Sequence, residues 1–92
     1  MTQRPVWRVE FANDAARDLR KLGDEAQRLI LAYLRNRIAT TQDPRRFGHA
    51  LARDLKGLWR YRVGDYRIVA SMEDDRFVVL VVTVGHRREV YD

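Results

Sequence analysis

The segment Leu58-Trp59-Arg60-Tyr61-Arg62-Val63-Gly64-Asp65-Tyr66-Arg67-Ile68 leaves the chain around it little choice of fold. Gly64-Asp65 is a two-residue turn of the Gly-first kind that suits a tight hairpin, and alternating aromatic or branched residues flank it on both sides. The register this implies pairs Val63 with Tyr66, Arg62 with Arg67, Tyr61 with Ile68 and Trp59 with Ala70. Side chains alternate faces along a strand. Trp59, Tyr61, Val63, Tyr66, Ile68 and Ala70 therefore make an apolar face, while Arg60, Arg62 and Arg67 share the other. Like charges placed directly opposite each other destabilise a sheet. A negatively charged ligand is the reason such an arrangement suggests for itself.

The rest of the chain limits what that ligand can be. Its 92 residues, 46% hydrophobic, suffice for one core and so for one domain over 1–92. The sequence has no cysteine, which removes disulfides and thiolate metal sites and fits a reducing cytosol. No signal-like apolar start and no apolar run near the roughly 18 residues of a membrane span is present, so a soluble chain away from the membrane is expected. The net charge is +5, and all 18 basic residues except Lys21 and Lys56 are Arg. Arginine favours planar, bidentate contact with phosphate or carboxylate. Nucleic acid or an acidic protein is the implied partner, although the scattered helical arginines are read more simply as compositional.

Val6 to Phe11 alternates, with Trp7, Val9 and Phe11 on one side, and predicts a strand. A helix follows, with Asn13 as N-cap, Asp14 in the first turn, Ala15, Ala16, Leu19 and Leu22 as the apolar stripe and Gly23 as its end. Asp24 with Gln27 resembles a capping box opening a second helix, whose Ala26, Ile30, Tyr33, Leu34 and Ile38 recur at helical spacing to about Ala39. Residues 40–50 carry turn residues without period and are expected to be loop. After the arginine hairpin, Glu73-Asp74-Asp75 turns the chain into Phe77 to Val84, apolar on both faces as in a covered central strand. The expected order is β-α-α-β-β-β in one α+β domain, a mainly antiparallel sheet packed by an N-terminal helical hairpin.

Gly85 is expected to end the central strand, which would turn His86, Arg87 and Tyr91 toward the hairpin arginines. Arginines with one histidine and one tyrosine suit phosphodiester cleavage in RNA: the guanidiniums neutralise the transition state and a proton carrier assists the hydroxyl or the leaving oxygen. Glu89 is the one carboxylate near this cluster in sequence, and the two histidines lie in distant segments, so neither a metal nor another cofactor is expected. Taken singly, the residues have plainer readings. The arginines can pair with Asp54, Glu73, Glu89 or Asp92, His86 can cap a strand end, and His49 has no evident partner in its loop. Trp59, Tyr61 and Tyr66 are assigned to the core, and Arg45 and Arg46 to a solvated loop.

In order and spacing, Trp7 to Phe11, Ala15, Leu19, Leu22, Asp43-Pro44-Arg45, Leu55 to Arg62, Gly64 to Arg67 and Gly85 to Tyr91 resemble the RelE group of the RelE/ParE superfamily of toxin–antitoxin toxins. The resemblance covers nearly the whole chain. It implies a small ribonuclease-like fold and cleavage of messenger RNA in the ribosomal A site by metal-independent attack of the ribose 2′-hydroxyl, leaving a 2′,3′-cyclic phosphate. It also implies cytoplasmic action, with the ribosome and mRNA as partners, and neutralisation in a hetero-oligomer with a cognate RelB-like antitoxin bearing an acidic amphipathic segment. Residue by residue, the family's basic positions fall on Arg60, Arg62, Arg67 and Arg87, its terminal tyrosine on Tyr91, and a position that is histidine or lysine in relatives on His86. The best-studied branch has lysines where this chain has Arg60 and Arg62. Arginine does not release its proton in proteins, so the resemblance leaves proton transfer to His86, with Tyr91 stacking or orienting the substrate. The other branch, ParE, shares the fold but binds DNA gyrase without cleaving RNA.

Overall fold

Residues 4–51 and 57–86 are described in the computed structural model of the chain. Strand β1, Arg8–Phe11, leads into helix α1, Asn13–Lys21, and helix α2, Asp24–Tyr33. The remaining strands are β2, His49–Ala50, β3, Leu58–Val63, β4, Tyr66–Glu73, and β5, Val78–His86. Among the described residues they form one five-stranded sheet in the order β1-β5-β4-β3-β2. β1 runs parallel to β5, and the other pairs are antiparallel. The α+β class and the helical hairpin agree with the sequence-based expectation, and β2 is additional to it.

Both helices lie on one face of the sheet because their apolar stripes have one surface to cover. Ala15 and Leu19 of α1, Ile30 of α2 and Leu34 and Ile38 just beyond it meet Tyr61, Val63, Ile68, Ala70, Val79, Val81 and Val84 in a single buried cluster. The helix ends depart from the caps expected. Ala12, in extended conformation, precedes α1, and Asn13 lies inside the first turn, where its side chain makes no capping bond. Gly23, at φ 93°, ends α1 and immediately precedes α2, so Asp24 is the first helical residue and closes no capping box. Gln27 reaches back instead, its Nε2 donating to the Arg20 carbonyl at 3.3 Å. Past Tyr33 the chain widens into a π turn, Leu34–Ile38, with the Ala39 amide donating to the Leu34 carbonyl at 2.8 Å. That turn keeps both Leu34 and Ile38 buried.

Residues 40–50, expected to be irregular, contain a short 3-10 turn, Pro44–Phe47, and then β2. Asp43 caps the turn, its Oδ1 accepting from the Arg45 amide at 3.0 Å, and Pro44 fills the first position, where no amide is needed. The segment is fixed from outside itself. The fully buried Tyr61 donates its hydroxyl to the Pro44 carbonyl at 2.8 Å, and an added Cβ on Gly48 would stand 3.0 Å from both the Arg60 carbonyl oxygen and the Tyr61 ring. Arg45 is likewise held rather than solvated, with Asp43 at 3.3 Å, Asp74 at 2.6 Å and the Trp59 ring centroid 5.9 Å from its guanidinium. Its hydrogen bond to Asp74 is the main influence raising its pKa.

Two outcomes follow from this clamp. Gly48→Ala should destabilise the fold by about 1–3 kcal/mol, because backbone on one side and a buried ring on the other leave the methyl nowhere to go. Burial pushes the Tyr61 hydroxyl pKa well above its ordinary value. A tyrosine raised in the folded state contributes stability in full below about pH 10 and loses it as pH rises further. Tyr61→Phe should therefore lower stability by about 1–3 kcal/mol at neutral pH, through the carbonyl left unpaired. It should also flatten part of the alkaline decline; urea titrations across that range check both effects.

Candidate functional site

The hairpin β3–β4 has the register its sequence dictates: Val63 opposite Tyr66, Arg62 opposite Arg67, Tyr61 opposite Ile68, Trp59 opposite Ala70. Gly64 takes a positive φ of 58°, as the first central residue of a Gly-first turn must. Tyr61, Val63, Ile68 and Ala70 are buried under the helices, with Trp59 and Tyr66 half-buried beside them. The pleat then sends Arg60, Arg62 and Arg67 together to the opposite face.

The three are not equivalent. Arg62 is exposed and Arg60 half-exposed, whereas Arg67 is only 5% exposed. Val69, also buried, sits beside Arg67 on this face, and Gly85 of β5 lies directly across from Arg67. Cations and carboxylates are divided unevenly along the face. At the end where β1 and β5 begin, Arg76 meets Glu73 at 2.7 Å and Glu10 at 3.4 Å, and Arg8 approaches Glu10 at 3.8 Å. At the hairpin-turn end, no carboxylate among the described residues pairs with Arg62, and its cross-strand neighbour is another arginine. Three guanidiniums thus gather at this end of the face.

His86 is not brought to the arginines. β5 runs through Gly85 to His86, because β4 offers partners as far as Tyr66, and His86 pairs with Tyr66. Paired residues share a face, and the two rings meet edge-on with centroids 5.8 Å apart. His86 thus lies at the rim of the helix side, with Tyr66 and Val84, which corrects the expectation that it follows a strand end and turns to the cleft. Arg87 and Tyr91 lie outside the described residues. The histidine that does share the arginine face is His49, opposite Arg60 at the sheet edge. Two residues of strand are too short for periodicity to reveal, so His49 carried no signal in sequence.

Comparison with known proteins gives this arrangement a family. The model of the ParE toxin of type II toxin–antitoxin systems matches residues 9–91. Toxin RelG of Mycobacterium tuberculosis is 30% identical over 83 residues, which cover 90% of this chain and 93% of that protein. Toxin RelE of the same organism is 29% identical over 85 residues, 92% of this chain and 86% of the relative. The fold matches the crystal structure of the M. tuberculosis RelBE2 toxin–antitoxin complex with a TM-score of 0.81 at 29% identity, over 90% of this chain and all (100%) of that one. The archaeal RelE–RelB complex from Pyrococcus horikoshii OT3 matches at a TM-score of 0.66 and 22% identity, over 94% and 100% of the two chains, a likeness of fold. The fold is that of a small toxin of the RelE type. The chain belongs to the RelE/ParE family of type II toxin–antitoxin toxins.

The opposed arginines give a direct stability outcome. Arg62→Glu converts a repulsive cross-strand pair into an attractive one and should raise stability by about 0.2–1 kcal/mol. A thermal midpoint that falls instead would show that the repulsion is already relieved.

Proposed function

We propose that the protein is a ribosome-dependent messenger-RNA endoribonuclease that inhibits translation, acting in the cytoplasm. The observation that carries this reading is the arginine face: Arg62 opposite Arg67 with Arg60 beside them, Arg62 exposed and Arg60 half-exposed. A phosphodiester passing through a phosphorane-like transition state gathers negative charge on its non-bridging oxygens. Fixed guanidiniums stabilise that charge more than they stabilise the ground state. In this reading the 2′-hydroxyl is the nucleophile and no metal takes part. Arg87 and Tyr91 join the site on the strength of the sequence, Arg87 as a further cation and Tyr91 as a stacking or orienting group. The proton carrier is the role the guanidiniums cannot fill, and the rim position of His86 counts against the assignment it received from sequence alone.

The chemistry of the face also defines the neutralising partner. A domain of net charge +5 with an open anion site is complementary to an acidic amphipathic segment. A cognate RelB-like antitoxin bound in a hetero-oligomer fits that requirement, as the RelBE2 complex of the similar M. tuberculosis toxin illustrates.

A second reading has one observation in its favour, the match to a model described by the ParE toxin. A gyrase-binding toxin would have no need of three arginines on one sheet face, and the two readings separate in a reconstituted assay. Ribosomes programmed with mRNA should be cut by the wild-type protein, in the presence of excess EDTA as in its absence. Arg62→Ala should cut about 10²–10³ more slowly, the range measured when one transition-state donor is removed. Cleavage lost to chelation and restored by magnesium would contradict the mechanism. An Arg62→Ala rate equal to wild type would remove the arginine face from the reaction.

A further inference from the structure

Among the described residues, the hairpin-turn end of the arginine face has no group able to accept a proton from the attacking hydroxyl unless its edge strand is included. Gly48 shows which way that strand points. A Cβ at position 48 would run into the Tyr61 ring, on the helix side of the sheet. The next residue, His49, must then project to the other side, and its pairing with Arg60 says the same independently. Successive rows of the face can be read off the register. His49, Arg60, Val69 and Thr83 form one row across β2, β3, β4 and β5, and Arg62, Arg67 and Gly85 form the next. With strands about 4.8 Å apart, the imidazole stands one strand from Arg60 and flanks the place where a phosphate would be shared among the guanidiniums.

Chemistry narrows the choice further. Arginine keeps its proton under all working conditions. Glu10 and Glu73 lie on this face but at its far end, held by Arg8 and Arg76. His86 is on the other face with Tyr66. His49 is exposed, at an edge a polymer can reach, and histidine is the side-chain type whose charge changes near neutrality. The charged groups of the described residues that face it are Arg60 directly across β3 and Arg62 diagonally; Arg46 lies three residues before it in its own segment, its guanidinium turned to the Phe47 ring.

We infer that His49 is the proton acceptor of this face. This rests on the ribonuclease reading given above and supplies the group that reading lacks. As the ribose 2′-oxygen forms its bond to phosphorus, its proton passes to the His49 imidazole and the bond from phosphorus to the 5′-oxygen breaks. The leaving oxygen takes a proton from water, and the products are a 2′,3′-cyclic phosphate and a 5′-hydroxyl. The imidazolium then returns its proton to solvent.

The test is single-turnover cleavage of mRNA on programmed ribosomes as a function of pH, for wild type, His49→Gln and His86→Gln. A base works only when neutral, so the wild-type rate should climb with pH. His49→Gln should cut about 10²–10⁴ more slowly and lose that climb, the usual reach of general acid–base catalysis. His86→Gln should keep the climb. An exposed histidine on a two-residue edge strand can be replaced without disturbing the core, and an unchanged melting midpoint for His49→Gln verifies that. Wild-type rate and pH profile in His49→Gln would overturn the inference while leaving the ribonuclease reading intact. A wild-type protein that cuts no mRNA would instead overturn the reading, and the inference with it.

Discussion

A slip of β3 by one residue along β4 would bury Arg60 and Arg62 against the helices and turn Tyr61 and Val63 to solvent, since the side-chain period of a strand is two. Everything functional in this protein depends on that register being held. Two devices hold it. The Gly64-Asp65 turn fixes the pairing from one end, with Gly64 in a conformation other residues rarely adopt. At the other end Tyr61 is anchored through its hydroxyl to the Pro44 carbonyl while Gly48 packs against its ring. The same two contacts lay β2 along the edge of β3 and so decide what stands next to Arg60.

The arrangement separates two jobs by face. The helix side carries the stability: an apolar cluster drawn from both helices and the sheet, each fully buried aliphatic side chain contributing about 1.5–3 kcal/mol relative to exposure. The other side carries the charge, with cations and carboxylates paired at one end and, at the other, Arg62 paired with no carboxylate among the described residues. Glu10, Glu73, Arg8 and Arg76 offset one another where β1 and β5 begin. Near the hairpin turn Arg62 and Arg67 face each other at a cost of some tenths of a kcal/mol. A cost of that size is easily carried by the core beneath and would be recovered on binding an anion. An RNA phosphate and an acidic antitoxin segment would satisfy the same cations, which gives a physical reason for one to exclude the other.

How much of this could be read from the sequence depends on the range of the interaction that decides each element. The hairpin was legible to the residue because its alternation and its turn are local. So were the buried positions of both helices, which follow a helical period without reference to the sheet. The helix caps were not: Asn13 and Asp24 are cap-forming types standing one residue inside their helices, and the positive φ of Gly23 serves both ends at once. β2 was invisible because two residues carry no period and its position is set by Tyr61, more than ten residues away. The misplacement of His86 has the same origin. Gly85 reads as a strand end, but β4 supplies partners as far as Tyr66, and the added residue reverses the face that the histidine presents.

The central claim is that the arginine face exists to cleave RNA, and one measurement bears on it most directly. The protein is expressed without an antitoxin and the ends of cellular messenger RNA are mapped, with the chemistry of each new 3′ end determined. The account requires new ends inside translated reading frames, carrying 2′,3′-cyclic phosphates, that appear as growth stops and are absent when Arg62→Glu is expressed. Growth arrest with messenger RNA intact and DNA gyrase blocked would contradict it.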